Sequence, residues 1–421
     1  DQFRELEEFL AVYKKVKSSY VDKVEDKQLM EGAIQGMLAS LDPHSGFLNK
    51  SDFSNLQTQI DGEYGGLGLS VTLEDEAVKV IAPTKDTPAD KAGIKSGDYI
   101  THLDGKLIYG GTLDEAVEAM RGVPGTSIKL TIVRPGRDAP FDVTVTRAII
   151  DLKPVQWEVK ERIGLITITG FSEQTGADVV SAVSSIKKSL GGNPLGYIVD
   201  LRSNPGGILD EAVAVSDAFL SEGEIVSERG RDKSDVQRWW AERAVPGDVT
   251  GGAPIIVLVD AGSASASEIV AGALQDHHRG LVMGERSFGK GSVQNVLPLT
   301  RDTGLRLTVA RYHLPSGRSV QEGGIKPDIQ VPQLSDPDYK KRTLIRESDL
   351  RRHLVNEITD DSKELEEDIA DDPRFAMTAE QLKAKGIEDF QLHYAMETLN
   401  RLGSKTMKLA EKPVPKGKAR N

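Results

Sequence analysis

Three short segments of this 421-residue chain carry residues suited to forming and stabilising an acyl intermediate. In the first, Ser265 lies in a run of small residues, Gly262–Glu268, between an apolar strand-like segment and an apolar helix-like segment. Such a turn faces the free N–H groups and the positive dipole end of the following helix, which suits a nucleophile whose attack creates an oxyanion. Ser265 and Glu268 also have the S-x-x-E spacing of a helix cap, so this segment alone leaves both interpretations open.

The second segment places Lys290 between Gly289 and Gly291, at the start of a predicted strand. A lysine that acts as a base must be neutral, and burial lowers its pKa because it disfavours the charged form. The flanking glycines allow the close packing that burial requires, although a solvated lysine in a glycine-rich loop has the same sequence. Lys290, Ser292 and Gln294 alternate along the strand and share one predicted face, so we expect Gln294 to hydrogen-bond and orient the lysine.

The third segment is an apolar strand that runs into the turn Pro205-Gly206-Gly207. The main-chain N–H groups of Gly206 and Gly207 are predicted to complete an oxyanion hole together with that of Ala266. A Pro-Gly-Gly sequence by itself indicates only a turn.

Together the segments resemble the C-terminal processing peptidases, also called tail-specific proteases. In that family a G-S-A-S-A-S-E motif carries the nucleophile and an F-G-K-G-x-V-Q motif carries the general-base lysine. The corresponding segments here are Gly262–Glu268 and Phe288–Gln294. The resemblance implies that Ser265 is the nucleophile of a serine endopeptidase, that Lys290 is the base, and that Gln294 is its positioning partner. Further matching segments are Leu201–Gly207, Tyr312–Arg318 and Gly324–Asp328.

The resemblance implies a multidomain α+β fold with a crotonase/Clp-like α/β peptidase core, an inserted β-rich PDZ domain, and helical N- and C-terminal regions. The strands and helices that alternate over 149–332 agree with an α/β core. The predicted boundaries are 1–62 for an N-terminal helical cap or oligomerisation region, 63–148 for the PDZ domain, 149–332 for the peptidase core, and 333–421 for a C-terminal helical region with a disordered basic tail.

The PDZ domain is predicted to bind the free C-termini of protein or peptide substrates. A glycine-rich loop resembles the carboxylate-binding loop of such domains, in which consecutive N–H groups surround a terminal carboxylate. A strand after this loop and a helix further on would form an apolar groove. The predicted peptide-binding residues are Gly65, Gly66, Leu67, Gly68, Leu69, Val117 and Met120.

Composition limits the other function classes. The formal charge of −12 argues against a nucleic-acid partner, which requires a basic face. The absence of cysteine excludes disulfides, thiolate metal sites and a cysteine nucleophile, and neither a metal nor an organic cofactor is implied. No apolar run is long enough for a membrane helix. The first residues have no signal-peptide pattern, so we expect a targeting segment to be absent or trimmed.

By resemblance, the expected location is the bacterial periplasm or cell envelope. Apolar stripes at Phe3–Tyr20 and Phe390–Leu402 are candidate contacts of a homo-oligomer. An adaptor protein that delivers substrates is a further candidate partner. The resemblance covers residues 1–332, whereas the C-terminal region is assigned from its pattern alone.

Several features suggest other interpretations. Ser184 and Lys187 match the S-x-x-K pattern of penicillin-binding enzymes, but no K-T-G partner follows and the segment is predicted to be an ordinary amphipathic helix. The pair His277-His278 lacks a metal-binding or triad spacing and is interpreted as a solvated helix end. Trp239 and Trp240 fit either a loop anchored on the core or a lid over the active site.

Two rival functions remain. A catalytically idle PDZ adaptor on a peptidase-like core would not need both Ser265 and Lys290, and this chain has both. An acyl-CoA lyase of the related crotonase-type fold would need neither a PDZ insertion nor a Ser–Lys pair.

Overall fold

A computed structural model describes residues 2–74, 77–108, 112–232, 234, 236–242, 247–342, 344–356 and 373–410. The N-terminal elements are α1 (Gln2–Ser19), α2 (Asp26–Ala39), β1 (Gly46–Leu48) and α3 (Lys50–Asp61). Most side chains of α1 are exposed, and Phe3 and Leu6 retain 85% and 56% of their surface. β1 pairs antiparallel with residues 304–306, so the N-terminal region is fastened to the core.

The following segment forms a small β-rich domain with its own apolar core. Its elements are β2 (Glu63–Gly66), β3 (Leu69–Glu74), β4 (Ala77–Pro83), α4 (Pro88–Lys91), β5 (Tyr99–Leu103), β6 (Lys106–Leu107), α5 (Leu113–Met120), β7 (Ser127–Val133), β8 (Phe141–Thr146) and β9 (Ala148–Asp151). The sheet has the order β3-β4-β5-β7-β8, and β2 pairs with β9 where the domain joins the rest of the chain. The helix α5 begins with a capping box, because Thr112 and Glu115 each accept the other's N–H.

The main core is a six-stranded sheet of order β10-β11-β12-β15-β16-β19. The elements of this region are β10 (Val155–Lys160), β11 (Ile163–Ile168), α6 (Thr175–Leu190), β12 (Gly196–Asp200), α7 (Leu209–Asp217), β13 (Gly223–Gly230), β14 (Val236–Ala241), β15 (Ile255–Val259), α8 (Ala266–Asp276), β16 (Gly280–Gly284), β17 (Ser292–Pro298), β18 (Gly304–His313) and β19 (Ile329–Gln330). Strands β11, β12, β15 and β16 are parallel. Every residue of β12 and β15 is buried, as expected for parallel strands covered on both faces.

A second sheet is organised around β18. β17 pairs along one edge of β18, while β13 and β1 share the other edge, and β14 extends the sheet beyond β13. Sequence patterns did not predict this sheet, because its strands come from both ends of the chain. The loop where Lys290 lies leads directly into β17 of this sheet.

The C-terminal region contributes α9 (Ala379–Ala384) and α10 (Phe390–Ala410). α10 buries Ala395 and Leu399 against the face of the central sheet opposite to α6, α7 and α8, and Phe390 is buried beside it. Much of the apolar stripe at Phe390–Leu402 is therefore used within the chain, whereas Leu402 at its end is 42% exposed, and the oligomer contact stays a prediction. The predicted tail at 412–421 lies outside the described residues.

Candidate active site

Ser265 occupies the sharp junction between β15 and α8. Its backbone has φ 55° and ψ −114°, a combination that non-glycine residues rarely adopt and that clusters at functional turns. The neighbouring Ser263 and Ser267 are fully buried and donate to the carbonyls of Leu201 at 2.8 Å and Asn204 at 2.9 Å. Within the described ranges the Ser265 hydroxyl has no such partner, and it lines a cavity.

The helix-cap interpretation of this turn applies only to the main chain. Ser265 N–H donates to the Glu268 carboxylate at 2.8 Å, and Glu268 N–H donates to the Ser265 carbonyl at 2.8 Å. Ser265 and Glu268 have the arrangement of a capping box, but no hydrogen bond joins the Ser265 hydroxyl to the helix, and the Glu268 N–H is bound by the Ser265 carbonyl. Capping and a chemical role are therefore compatible, because they use different atoms of the same residue.

Glu268 connects the serine turn to the lysine loop. Its carboxylate is fully buried and accepts hydrogen bonds from Ser265 N–H, the Ser287 hydroxyl at 2.5 Å, Gly289 N–H at 2.8 Å and Lys290 N–H at 2.9 Å. Burial raises the pKa of Glu268 to about 7, and these hydrogen bonds oppose the rise. The sequence showed Glu268 only as a cap, because local spacing carries no signal for its contacts about twenty residues away.

Lys290 lies at the end of the loop before β17, part-buried in the same cavity as Ser265. Burial of the amine, reinforced by the nearby Arg306 guanidinium, lowers the pKa of Lys290 to about 8. The flanking glycines allow this burial: a Cβ on Gly289 would lie 2.9 Å from the Glu322 carbonyl oxygen, and one on Gly291 would lie 2.8 Å from Gln321 N. The lysine is thus not a freely solvated surface residue.

Segments distant in sequence surround the lysine. Glu347 is fully buried, contacts His44 Nε2 at 2.8 Å, and accepts from Gln321 Nε2 at 3.0 Å. The carboxylates of Glu347 and Asp42 oppose the lowering of the Lys290 pKa because they stabilise the ammonium form. Sequence reasoning missed these residues, because neither adjoins the motif that carries the lysine.

Gln294 lines the same cavity, but its amide nitrogen does not contact the lysine. It donates to the Ser292 hydroxyl at 2.9 Å and to the Thr308 hydroxyl at 3.2 Å. An irregularity in the β17–β18 register between Val293 and Gln294 interrupts the regular alternation that the sequence-based prediction assumed.

The loop after β12 approaches the serine turn closely. Gly206 has φ 100°, and a Cβ there would lie 2.9 Å from the Ser265 Cβ and 3.0 Å from Ala266 N. Gly206 N–H is already used, because it donates to the Asn204 side chain at 2.9 Å. Of the three predicted oxyanion donors, Gly207 N–H and Ala266 N–H therefore remain without a partner among the described residues.

The cavity lined by Ser265, Lys290 and Gln294 has a volume of about 690 Å³. Besides Ser265, Lys290 and Gln294, it exposes an apolar wall of Phe171, Ile208, Leu209 and Ile269, with Leu56 and Ile60 from α3. A polypeptide segment with apolar side chains would bury surface there while its carbonyl lies near Ser265.

A second pocket lies in the β-rich domain between β3 and α5. It is lined by six of the seven predicted peptide-binding residues, namely Gly66, Leu67, Gly68, Leu69, Val117 and Met120. Gly65 instead packs against the end of α5, where a Cβ would lie 2.1 Å from the Gly122 carbonyl oxygen. Gln59 of α3 lines both this groove and the cavity, so α3 separates the two.

The other sequence candidates lie away from the cavity. Ser184 is exposed on α6, and Lys187 Nζ donates to the Val249 carbonyl at 2.7 Å. His277 Nε2 contacts the Glu224 carbonyl at 2.7 Å. Trp239 packs on the main core and Trp240 is 56% exposed, and neither lines the cavity, so the lid interpretation has no structural support.

In the part of the chain that the structure describes, no helix has both the length and the hydrophobicity to cross a membrane. The same part contains no group of three or more histidine, cysteine or acidic residues arranged to hold a metal ion.

Comparison with known proteins identifies three regions of the chain. Residues 162–331 match peptidase family S41, residues 65–145 match the PDZ domain, and residues 1–52 match the activating protease CtpB N-terminal domain. The carboxy-terminal-processing protease of Bartonella bacilliformis is 48% identical over 354 residues, 84% of this chain and 81% of that protein. The carboxy-terminal processing protease CtpA of Bacillus subtilis is 35% identical over 333 residues, 78% of this chain and 69% of that protein.

Among solved structures, a photosystem II D1 C-terminal processing protease is 28% identical, with a TM-score of 0.45, over 76% of this chain and 86% of that one. The sequence matches make the chain a serine peptidase with a PDZ domain. Within that class it belongs to peptidase family S41, the family of the carboxy-terminal processing proteases. The family and fold class expected from the sequence motifs are thereby confirmed.

Proposed function

We propose that the chain hydrolyses peptide bonds with a Ser265–Lys290 dyad and that its PDZ domain recognises the free C-termini of its substrates. The observation that carries the dyad is the shared cavity, which holds both the uncommitted hydroxyl and the amine whose pKa is lowered to about 8. With that pKa about a tenth of the lysine is neutral at pH 7, compared with about one in a few thousand for an unperturbed lysine.

In the proposed reaction Lys290 accepts the Ser265 hydroxyl proton as the serine oxygen attacks the scissile carbonyl. The carbonyl oxygen gains negative charge, which the N–H groups of Gly207 and Ala266 stabilise. Collapse of this intermediate breaks the C–N bond, and the Lys290 ammonium returns the proton to the leaving amine. Water then attacks the Ser265 ester with Lys290 again as base, releasing the acid and restoring the hydroxyl.

Gln294 is the proposed positioning partner of Lys290. Its amide nitrogen is held by the hydroxyls of Ser292 and Thr308. An anchored nitrogen leaves the amide oxygen as the group available to accept from the lysine ammonium after proton transfer.

Recognition of C-terminal tails is supported by the groove beside β3. The N–H groups of Leu67 and Gly68 make no main-chain hydrogen bond within the described ranges, and they line the same pocket as Val117 and Met120. N–H groups at the end of an apolar groove suit a terminal carboxylate followed by small or apolar side chains.

The cellular setting is proposed on the family resemblance. We place the enzyme in the periplasm or cell envelope of a bacterium, where it would act on protein or peptide substrates. An adaptor protein that delivers these substrates is a further proposed partner. The exposed apolar residues of α1, including Phe3, Leu6 and Leu10, support a homo-oligomer.

The direct test is to incubate the purified chain with an unstructured protein and to measure fragments. Ser265→Ala and Lys290→Ala should each abolish cleavage, and the double variant should be no worse, because the two residues act as one unit. Chelators and thiol reagents should have no effect. Ser184→Ala and Lys188→Ala, on the exposed side of α6, provide a matched serine and lysine control and should cleave at the normal rate.

Full cleavage by Ser265→Ala would refute the proposed nucleophile. Tail binding without any cleavage by the intact chain would instead favour the idle PDZ adaptor.

A further inference from the structure

The nucleophile and the base are 25 residues apart in the sequence, and two buried side chains contact the main chain of both. Glu268 accepts the N–H groups of Ser265 at 2.8 Å and Lys290 at 2.9 Å. Tyr312, on β18, contacts the carbonyl groups of the same two residues. Its hydroxyl donates to the Lys290 carbonyl and lies 3.2 Å from the Ser265 carbonyl oxygen.

Tyr312 is rigidly placed. It is 1% exposed, its ring belongs to the main core, and its N–H donates to the Gly291 carbonyl at 3.0 Å. Burial raises the pKa of the Tyr312 phenol well above its ordinary range, so the hydroxyl keeps its proton and remains a donor. The phenol also lines the cavity with Ser265 and Lys290, so the contact is made at the site itself.

Together the two contacts control both backbone torsions of the base. An N–H group belongs to the peptide plane before its residue, and a carbonyl belongs to the plane after it. Fixing the Lys290 N–H through Glu268 and its carbonyl through Tyr312 therefore fixes φ and ψ of Lys290, and with them the direction of its side chain. The Ser265 carbonyl is held within its own turn, because it also accepts from Glu268 N–H at 2.8 Å and from Ile269 N–H at 3.0 Å.

We propose that Tyr312 is a positioning residue for the Ser265–Lys290 reaction, its hydroxyl joining the carbonyls of the nucleophile and the base. This inference rests on the proposed dyad. Without the phenol proton, Glu268 would still hold the two N–H groups, but the peptide plane that follows Lys290 could rotate. The amine would then come within proton-transfer distance of the Ser265 hydroxyl less often.

A purely structural role predicts a different outcome: loss of the Tyr312 hydrogen bond would lower the stability of the fold and leave kcat of the folded protein unchanged. Tyr197 supplies the matched comparison. It is also fully buried in the main core, but its hydroxyl has no hydrogen-bond partner in the described part of the chain and it does not line the cavity.

The experiment compares Tyr312→Phe with Tyr197→Phe in the full chain. For Tyr312→Phe we expect kcat to fall about 10- to 100-fold, since a small misplacement of reacting groups costs this much. KM and the affinity for a C-terminal peptide should stay within about twofold, because substrate contacts are intact. The rate at which a small fluorophosphonate modifies Ser265 should fall in parallel with kcat. Tyr197→Phe should have normal values of kcat, KM, peptide affinity and fluorophosphonate reaction rate.

The pH profile separates positioning from proton transfer. A positioning residue lowers kcat at every pH and leaves the midpoint of the acid limb unchanged, because the charges around Lys290 are the same. A normal kcat for Tyr312→Phe, or a loss that appears only as a lower unfolding temperature, would overturn the proposal.

If Tyr312→Phe does not fold, replacement by 4-aminophenylalanine and by 4-methylphenylalanine decides the question. The two side chains are of similar size, but only the first has a donor, so only the first should be active. Equal activity of the two would refute the role of the hydroxyl. Failure of the dyad itself is distinguishable, because Ser265→Ala would then retain cleavage.

Discussion

The cavity around Ser265 and the groove beside β3 both touch α3 but are built from different kinds of contact. Around the cavity, fully buried polar side chains such as Glu268, Ser263 and Glu347 tie loops from distant parts of the chain together. The groove depends instead on part-exposed apolar side chains of β3 and α5, including Leu69 and Val117. These side chains pack on the separate core of the small domain.

The difference follows from what each region must do. Bond cleavage requires reacting atoms to be held within fractions of an ångström, and buried hydrogen bonds supply that restraint because breaking one leaves an unsatisfied group. Capture of varied tails requires a tolerant apolar surface and a few N–H groups. Substitutions that displace the reacting groups should therefore cause large losses of kcat, whereas substitutions or ligand changes at the groove should act gradually.

The largest effect is expected from Gly207→Ala. Gly207 has φ 152°, and a Cβ there would lie 2.1 Å from the Phe171 carbonyl oxygen, so the loop must shift and move its N–H away from Ser265. Loss of one oxyanion donor lowers kcat by about 100- to 1000-fold. Gly192→Ala, where the space is open, is the control and should have normal kcat in the same peptide-cleavage assay. Normal activity of Gly207→Ala would exclude this loop from the oxyanion hole.

A smaller loss is expected from Glu268→Gln. The amide replaces one acceptor oxygen with an NH₂ group, which cannot accept from the N–H pair or from the Ser287 and Gly289 donors. We expect kcat to fall about 100-fold with KM nearly unchanged. Glu158→Gln, at an exposed position of β10, should have no effect in parallel steady-state assays. A loss confined to KM would show that Glu268 serves the substrate rather than the nucleophile.

At the groove, a change of ligand should have a moderate effect. A peptide with a free C-terminus should bind the inactive Ser265→Ala chain about tenfold more tightly than the same peptide amidated, since a hydrogen bond to a charged group contributes about 1.5 kcal/mol or more. Fluorescence anisotropy with labelled peptides measures the ratio. Equal affinities would refute carboxylate capture while leaving the dyad intact.

The smallest effects are expected from changes to the charges that act on Lys290. Arg306 lowers the pKa of Lys290, whereas Glu347, Glu268 and Asp42 raise it. Because the neutral amine is required, activity should rise with pH along an acid limb near pH 8 and be lost below it. Arg306→Gln removes a charge that lowers the lysine pKa, so its limb should move to higher pH. Glu347→Gln removes a charge that raises that pKa, so its limb should move to lower pH.

Rate measurements across pH at low substrate concentration give both midpoints. Shifts in the same direction for the two variants would show that a group other than Lys290 governs the limb.

Local patterns were sufficient for most of the regular elements. The strand before Ser265 and the helix after it are as expected, and strands and helices alternate through the predicted α/β core. Alternation of apolar residues and the Thr112 cap are short-range signals, so a single sequence contains them. Ser265, Lys290 and Gln294 were likewise predicted from motifs, and the structure brings them to one cavity.

Contacts between distant segments could not be predicted in this way. S-x-x-E spacing is the same whether Glu268 only caps its helix or also binds the Lys290 loop. The partner of Glu347 is His44, 303 residues earlier, and nothing near either residue indicates the other. The occupied N–H of Gly206 depends on the rotamer of Asn204, which is decided by packing. Burial and long-range pairing determine these features, and neither is a local property.

The antiparallel pairing of Gly46 with Arg306 also sets the order in which a newly made chain becomes functional. Synthesis releases the N-terminal part first, and pairing across so many residues waits until the later partner has emerged. The small β domain closes within residues 63–151, whereas Glu347, one of the charges that act on Lys290, lies almost 200 residues further along the chain. On the proposed function, a chain still on the ribosome would therefore form its tail-binding groove before the surroundings of Lys290 are complete.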